Sequence, residues 1–279
     1  MTSVKKVFLI VLENHNWSTI VKSPGATYIK SLLPKASYAT QYFTPPHNHP
    51  SEPNYLWLES GKRLSSTDSP PAQDHHIVNV PHLTALLDAA GKSWKSYQED
   101  IDGKVCPLAS VKNYVPRHNP FIFFDDVTES LKKDSTKCIA HVRPFGELAA
   151  DLAANRVADY NFITPNLCHD MHTDCGRGKV GAGDEWLSQN LPAILASEAY
   201  SQGALFITWD EGDEFLFLAK DGPVGLILLS PFAKGNGYSN ARHYTHSSLL
   251  RTLQDIFGVS PYLGDAANAE NLSDLFRPN

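Results

Sequence analysis

The sequence predicts an α/β protein: a three-layer sandwich with a mainly parallel central sheet and helices on both faces. Three observations carry this expectation. The runs Val7–Leu12, Ala204–Trp209 and Val224–Leu229 are continuously apolar rather than alternating, the pattern of strands buried on both faces, as in a parallel sheet. Segments with helical spacing alternate with these strands along the chain, which is the order that builds a sheet between two helix layers. No internal repeat or linker interrupts the alternation, so residues 1–279 read as a single domain, within the size range of one large α/β fold.

Taken in order, Val7–Leu12 is the first strand, and Asn16 to Leu33 is a loop with a short helix. Residues 39–43 form a short second strand. Prolines at 45, 46, 50 and 53 keep residues 44–53 out of helix. Asn54 to Glu59 carries no breaker and ends before Gly61, so it reads as a helix closed by glycine. Residues 62–80, rich in Ser, Asp and Pro, are a surface excursion. Pro81 to Ala90 has helical spacing and Ser93 to Tyr97 resembles a strand. Residues 99–142 are irregular, and they read as an insertion capping a site and stapled by Cys106 and Cys138. Phe145 to Ala154 is a helix feeding the strand Tyr160–Thr164. Another helix starts at Gly183 or Asp184 and runs through Ser197, with Asp184 and Glu185 in the first turn, where the macrodipole favours acidic groups. After Val224–Leu229 come a Gly/Asn-rich loop at 235–240 and a helix from Ser247 to Phe257.

Composition narrows the class. Hydrophobic residues make up 42% and charged residues 19%, the balance of a globular protein with a sizeable core. A net charge of −6 with no long Lys/Arg run leaves no basic footprint for nucleic acid and argues against steady residence on anionic lipid. No apolar run approaches the roughly 18 residues a membrane span needs, so stable membrane insertion is not expected. Residues 1–12 have no small-residue cleavage site and are needed as a strand. The chain therefore reads as secreted or periplasmic with its leader already removed, or else as cytoplasmic. Four cysteines fit two disulfides and an oxidising compartment, with buried free thiols as the alternative. Cys168 and Cys175 bracket a short loop and are expected to be close enough to bridge.

Chemistry concentrates at the ends of the apolar strands. The first runs into Glu13-Asn14-His15, the strand ending at Thr164 is followed by Asn166, His169, Asp170 and His172, and Ala204–Trp209 runs into Asp210-Glu211-Gly212-Asp213-Glu214. A fourth segment supplies His243 and His246. Parallel strands place their carboxyl ends on one edge, where ligands gather, so these clusters are expected to converge. Carboxylates, an amide oxygen and imidazole together suit a divalent cation of borderline hardness, and the lack of cysteine ligands argues against structural zinc. Ser51 falls near a helix N-terminus, where backbone N–H groups favour phosphate. A Ser-His-Asp hydrolase is disfavoured because no Gly-x-Ser-x-Gly elbow is present.

Five motifs occur in a fixed order: Leu12-Glu13-Asn14-His15, His49-Pro50-Ser51-Glu52-Pro53-Asn54-Tyr55, Thr164-Pro165-Asn166 with Asp170-Met171-His172, Trp209-Asp210-Glu211-Gly212, and His246-Ser247-Ser248-Leu249-Leu250-Arg251-Thr252. Together they resemble the bacterial phosphoesterase family of acid phosphatases, phosphatidylinositol-phosphate phosphatases and phospholipases C, itself similar to the alkaline phosphatase superfamily. The resemblance runs from about residue 6 to residue 258 and implies an alkaline phosphatase-like fold. It also implies metal binding by Glu13, Asn14, Asp210 and Glu211. Ser51 takes the nucleophile's position, since Ser51-x-Pro53-Asn54 resembles the Thr-x-Pro-Asn of nucleotide pyrophosphatases. His172 and His246 are assigned to phosphate contact or proton transfer, and His49, Asn54, Asn166, Asp170 and His243 to substrate binding. Asn166 stands where the two-metal pattern has Asp, so one divalent metal cation is expected rather than two.

The expected activity is that of a metal-dependent phosphomonoesterase, an acid phosphatase whose substrates are small phosphate esters or phosphoinositide head groups. In it the Ser51 alkoxide attacks phosphorus and a histidine, His172 or His246, protonates the leaving oxygen. Water then hydrolyses the phosphoseryl intermediate. A histidine acid with its ordinary pKa near 6.5 favours mildly acidic operation. A phospholipase C-type phosphodiesterase is the alternative, followed by a non-catalytic phosphate- or metal-binding module.

Overall fold

Every side chain from Val7 to Leu12 is fully buried in strand β1 (Lys6–Leu12), which lies inside the sheet with both of its faces covered. Removing six large apolar side chains from water contributes on the order of 10 kcal/mol, enough to make β1 the spine of the fold. The computed structural model describes residues 1, 3–213 and 221–278; Glu214, the last of the acidic run after Trp209, lies outside them.

The further strands are β2 (Ser37–Ala39), β3 (Tyr42–Phe43), β4 (Trp94–Gln98), β5 (Val142–Pro144), β6 (Tyr160–Thr164), β7 (Gly203–Trp209), β8 (Leu226–Leu229), β9 (Tyr238–Asn240) and β10 (Tyr244–Thr245). Among the described residues, β1 and seven of these form one sheet in the order β5-β4-β6-β1-β7-β8-β2-β9, and β3 pairs with β10 in a small second sheet. From β5 to β7 all pairings are parallel, with Leu9 opposite Phe162 on one side and Phe206 on the other. Two groups of helices flank the large sheet. One joins Ser51–Ser60, Leu83–Ala89 and His246–Phe257, and the other joins Thr27–Leu32, Leu148–Ala153 and Lys179–Leu195. The architecture is the expected α/β sandwich with a mostly parallel sheet.

Several features depart from the sequence expectation: the serine helix starts at Ser51 rather than Asn54, with Pro53 in its first turn, the long helix starts at Lys179 rather than Gly183 or Asp184, and one strand runs backwards. Strand β8 is antiparallel to both neighbours, β7 and β2, so its carboxyl end points away from the edge where β1, β6 and β7 finish. A continuous apolar run reports burial and carries no sign of direction. The chain returns to the working edge through β9, parallel to β2, which is how His243 and His246 arrive there. The segment read as a capping insertion also reaches the core. Phe121, Ile122, Phe123 and Phe124 are all buried, so this part of 99–142 is built into the core. Residues 62–71 are largely exposed, as expected of a surface excursion.

The helix Ser51–Ser60 closes on Gly61 in the left-handed region (φ 65°). A Cβ at Gly61 would lie 2.4 Å from the Leu263 carbonyl oxygen, so only glycine ends this helix without displacing the chain that packs on it. Both cysteine pairs are bridged, Cys106 to Cys138 and Cys168 to Cys175. The second bridge closes the loop carrying His169 to Asp174. Thiol titration of the denatured, unreduced protein is expected to find no free thiol; four would show that neither bridge forms.

Candidate active site

At the carboxyl end of β1 the backbone turns sharply. The Glu13 N–H donates to the Asp170 carbonyl at 2.7 Å, and the Asp210 N–H donates to the Leu12 carbonyl at 2.9 Å. These bonds draw the segments after β1, β6 and β7 together. Asn14 then adopts a left-handed conformation (φ 43°). In it the backbone N–H donates to Asp210 Oδ1 at 3.0 Å and Nδ2 donates to Glu211 Oε1 at 2.8 Å. Met171, between Asp170 and His172, is also left-handed (φ 80°). Such positions cost about 1–3 kcal/mol each and cluster at functional sites. Met171 is held by packing: a Cβ on Gly183 of the Lys179–Leu195 helix would meet its Cγ at 2.5 Å, and the Trp209 indole N–H points at its sulfur.

The fully buried Glu13 carboxylate lies at the centre. Its Oε2 accepts the Ser51 hydroxyl at 3.0 Å and its Oε1 accepts the Tyr55 hydroxyl at 2.6 Å. His118 Nε2 lies 3.2 Å from the same Oε1, and His118 Nδ1 lies 3.1 Å from Asp170 Oδ2. Tyr55 stacks on the His118 ring with centroids 5.1 Å apart, fixing the imidazole between the two acids. Ser51 itself opens the Ser51–Ser60 helix. Its hydroxyl therefore faces Glu13 at the positive end of a helix.

Glu211 is engaged on both oxygens. Besides Asn14 on Oε1, its Oε2 receives Asn54 Nδ2 at 3.1 Å and His49 Nδ1 at 2.7 Å, while His49 Nε2 reaches Asp221 Oδ2 at 2.7 Å. Asp170 Oδ1 accepts the His172 backbone N–H at 2.8 Å. His172 is half-buried, its ring 6.1 Å from that of His118.

The structure thus gathers Glu13, Asn14, His49, Ser51, Asn54, Asp170, Asp210 and Glu211, with His172 alongside. Three expected contacts fall elsewhere. His246 is fully buried at the start of His246–Phe257, and its ring spans the Asp210 carbonyl (2.7 Å) and the Tyr42 hydroxyl (2.9 Å). Nε2 holds the segment after β7 and Nδ1 the Tyr42 hydroxyl of β3, so both nitrogens are engaged within the fold in place of the phosphate contact or proton transfer expected of this residue. His243 is exposed and its ring lies tilted against Phe43, centroids 4.8 Å apart. Asn166 bonds Asp100 Oδ2 and the Cys168 N–H, so it shapes the loop. Conversely, His118 and Tyr55 belong to the cluster although the sequence did not single them out.

Electrostatics follow from crowding acids away from water. Burial first, then the neighbouring Asp210 and Asp170 charges, raise Glu13 well above the usual carboxylate range. Burial also raises Asp170, and burial with Glu211 raises Asp210. Bonded by Asp221 and Glu211, His49 is pushed up to about 10. Burial lowers His172 and His246 to about 4, so both are neutral where an ordinary histidine begins to titrate.

The donor set fits a cation. Glu13, His118 and Asp170 each offer an atom within 4.8 Å of the others, and the buried oxygens Asp210 Oδ2 and Asn14 Oδ1 accept no hydrogen bond. Buried acceptors left without donors are rare unless an ion or water serves them.

A serine at a helix start thus faces a cluster of buried acids at one edge of a mostly parallel sheet in an α/β fold. The fold is similar to that of a Vibrio parahaemolyticus protein in the alkaline phosphatase superfamily, with a TM-score of 0.64 over 99% of this chain and 70% of that one, at 10% identity. The model of the Phosphoesterase family matches residues 22–260; the chain belongs to that family and is a hydrolase of phosphoric ester bonds. It is 26% identical to a phosphatidylinositol-3-phosphatase of Mycobacterium tuberculosis, over 97% of this chain and 82% of the relative. It is 27% identical to a phosphate-repressible acid phosphatase of Penicillium chrysogenum, over 85% of this chain but only 55% of that protein. No helix among the described residues is long and apolar enough to cross a membrane.

Asp210→Asn separates charge from shape, since the amide oxygen still accepts the Asn14 N–H. In wild type the folded-state carboxyl is raised, so its contribution to stability is lost as pH climbs above the unfolded carboxylate range near 4. In chelator at pH 7 the substitution is expected to raise the melting temperature by a few degrees, on the order of 1 kcal/mol. The gain should fade toward about pH 4, where the wild-type acid is protonated in both states. Melting curves at the two pH values decide; a loss at pH 7, or equal shifts at both, would contradict the crowding.

Proposed function

We propose that this chain is a metal-dependent phosphomonoesterase of acid phosphatase type, using Ser51 as nucleophile and passing through a phosphoseryl intermediate. The observation that carries the reading is the 3.0 Å bond from Ser51 Oγ to Glu13 Oε2, made at a helix N-terminus beside the Glu13-His118-Asp170 trio. In that position Glu13 orients the hydroxyl and accepts its proton, while the helix end favours the incoming phosphate.

Glu13, His118 and Asp170 would hold a divalent cation, with Asp210 and Asn14 offering further oxygens. Such a cation supplies Lewis-acid stabilisation of phosphoryl charge and lowers the pKa of a nearby hydroxyl. Glu211 has both oxygens committed to Asn14, Asn54 and His49, so its part is to fix Asn14 and the start of the serine helix. His172, half-buried and next but one to Asp170, is assigned phosphate contact, since burial lowers it to about 4 and keeps it neutral in the mildly acidic range where a protonated histidine acid would be needed. His246 keeps the β7 terminus in register from below. Phosphoinositide head groups fall within this substrate class, as the name of the mycobacterial relative suggests.

Ser51→Ala is expected to lower kcat by several orders of magnitude, as loss of a covalent nucleophile does, with the fold and melting temperature close to wild type. Steady-state turnover of an aryl phosphate checks this. Retention of more than about a tenth of the activity, a barrier change below roughly 1.4 kcal/mol, would end the nucleophile assignment.

A further inference from the structure

The loop from Cys168 to Cys175 carries Asp170 and His172 into the site, and a disulfide closes its base. On the leg that follows β6, the His169 and Asp170 N–H groups both donate to the Asn166 carbonyl at 2.8 Å. Across the loop, the Thr173 N–H donates to the Leu167 carbonyl at 2.9 Å. Beyond Thr173 the chain is exposed from Asp174 to Lys179, and Asp174 Oδ1 accepts the N–H groups of Gly176 and Gly178 on that same leg. The Cys168–Cys175 bridge, with a sequence separation of 7, ties this exposed leg back to the one that leaves the sheet.

The two bridges of the chain differ in exposure. Cys106 and Cys138 are both buried in the core, out of reach of a reductant while the chain is folded. Cys175 is exposed and Cys168 half-buried, so the second bridge is open to attack by a thiolate. What that bridge confines is a strained segment. Met171 keeps a left-handed backbone (φ 80°), which a non-glycine residue holds only where its surroundings impose it. On one side of it stands Asp170, whose carbonyl accepts the Glu13 N–H at 2.7 Å and whose Oδ2 lies 3.1 Å from His118 Nδ1. On the other stands His172. Opening the bridge widens the conformations available to residues 169–174, and Met171 relaxing out of the left-handed region turns both neighbours away from Glu13.

We propose that Cys168–Cys175 is a redox gate on this site: a dithiol reductant opens it, and activity falls while the fold stays intact. One thiolate of the reductant attacks the Cys175 sulfur, forming a mixed disulfide and releasing Cys168 as a thiolate. The second thiolate then closes the reductant's own disulfide and releases Cys175. Two electrons pass from the dithiol to the bridge, and the dithiol's two protons end on the two cysteines. Closing so short a loop restricts the unfolded chain less than a long loop would, so losing the bridge is expected to leave the protein folded. The proposal rests on the phosphomonoesterase reading, and its test separates the two.

Native protein is treated with dithiothreitol, and the freed thiols are alkylated and mapped to their peptides by mass spectrometry. In parallel, kcat and KM on nitrophenyl phosphate and the melting temperature are measured. The double variant Cys168→Ser/Cys175→Ser is assayed alongside without reductant, which separates the gate from capture of a metal by the dithiol. The expected result is that Cys168 and Cys175 are labelled before Cys106 and Cys138. With that labelling kcat should fall by about 10–100-fold, the scale of a small misplacement of catalytic groups, while the protein still melts above the assay temperature. Reoxidation should restore the wild type, and the double variant should show the same low kcat with or without reductant. Wild-type kcat in the double variant, or earlier labelling of Cys106 and Cys138, would overturn the gate. So would a loss of activity confined to conditions where the reduced protein unfolds, since the bridge would then be a staple of the fold. Oxidised wild type that does not hydrolyse nitrophenyl phosphate would overturn the phosphatase reading and the gate with it.

Discussion

Glu13 is a carboxylate held without solvent contact at the end of the central strand, and the rest of the site depends on how that position is satisfied. Burying an acid costs several kcal/mol unless partners compensate. Here Ser51 and Tyr55 donate to it and His118 packs against it, yet Asp170 and Asp210 add charge of the same sign. The compensation within the protein is incomplete, and the buried oxygens Asp210 Oδ2 and Asn14 Oδ1, which accept no hydrogen bond, face the same shortage of positive charge. The divalent cation proposed for Glu13, His118 and Asp170 would resolve the conflict, and the unfavourable burial would then become a source of affinity.

The sheet makes this arrangement affordable. Residues at 13, 170 and 210 follow three adjacent parallel strands, β1, β6 and β7, so the backbone bonds that end those strands also set the spacing of the acids. The serine helix and the His118 turn pack onto that edge from one side, and the His246 ring supports it from beneath. Left-handed Asn14 and Met171 are the strained points, and each is pinned by contacts from a different element. A loose version of this edge would leave acids free to turn toward water and abandon the ligand.

Much of the fold was legible because burial writes itself into apolar runs and helical spacing: β1, β6, β7 and the closing helix lie where the pattern placed them. Direction is not encoded by such runs, which is why the reversal of β8 came only from the structure. The carboxylates were legible because each follows a strand. His118 was not, since it sits in an irregular segment between Pro116 and Pro120 whose burial has no periodic signature. His246 was visible as a residue but not as a support. The one signal was its place at the head of a strongly buried helix, where the first side chain turns toward the sheet rather than the cleft. Asp170, expected to touch substrate, instead completes the acid–histidine trio.

The claim that Glu13 organises both the nucleophile and a cation is tested most directly by measuring bound metal, melting temperature and turnover together, for wild type and Glu13→Gln, before and after exhaustive chelation. The account predicts that wild type loses activity and melts lower when stripped, and that restoring a divalent cation returns both in proportion to occupancy. Glu13→Gln should bind the cation far more weakly and turn over substrate little with or without it. A wild-type enzyme that keeps full activity with no metal bound, or a Glu13→Gln enzyme as active as wild type, would contradict it.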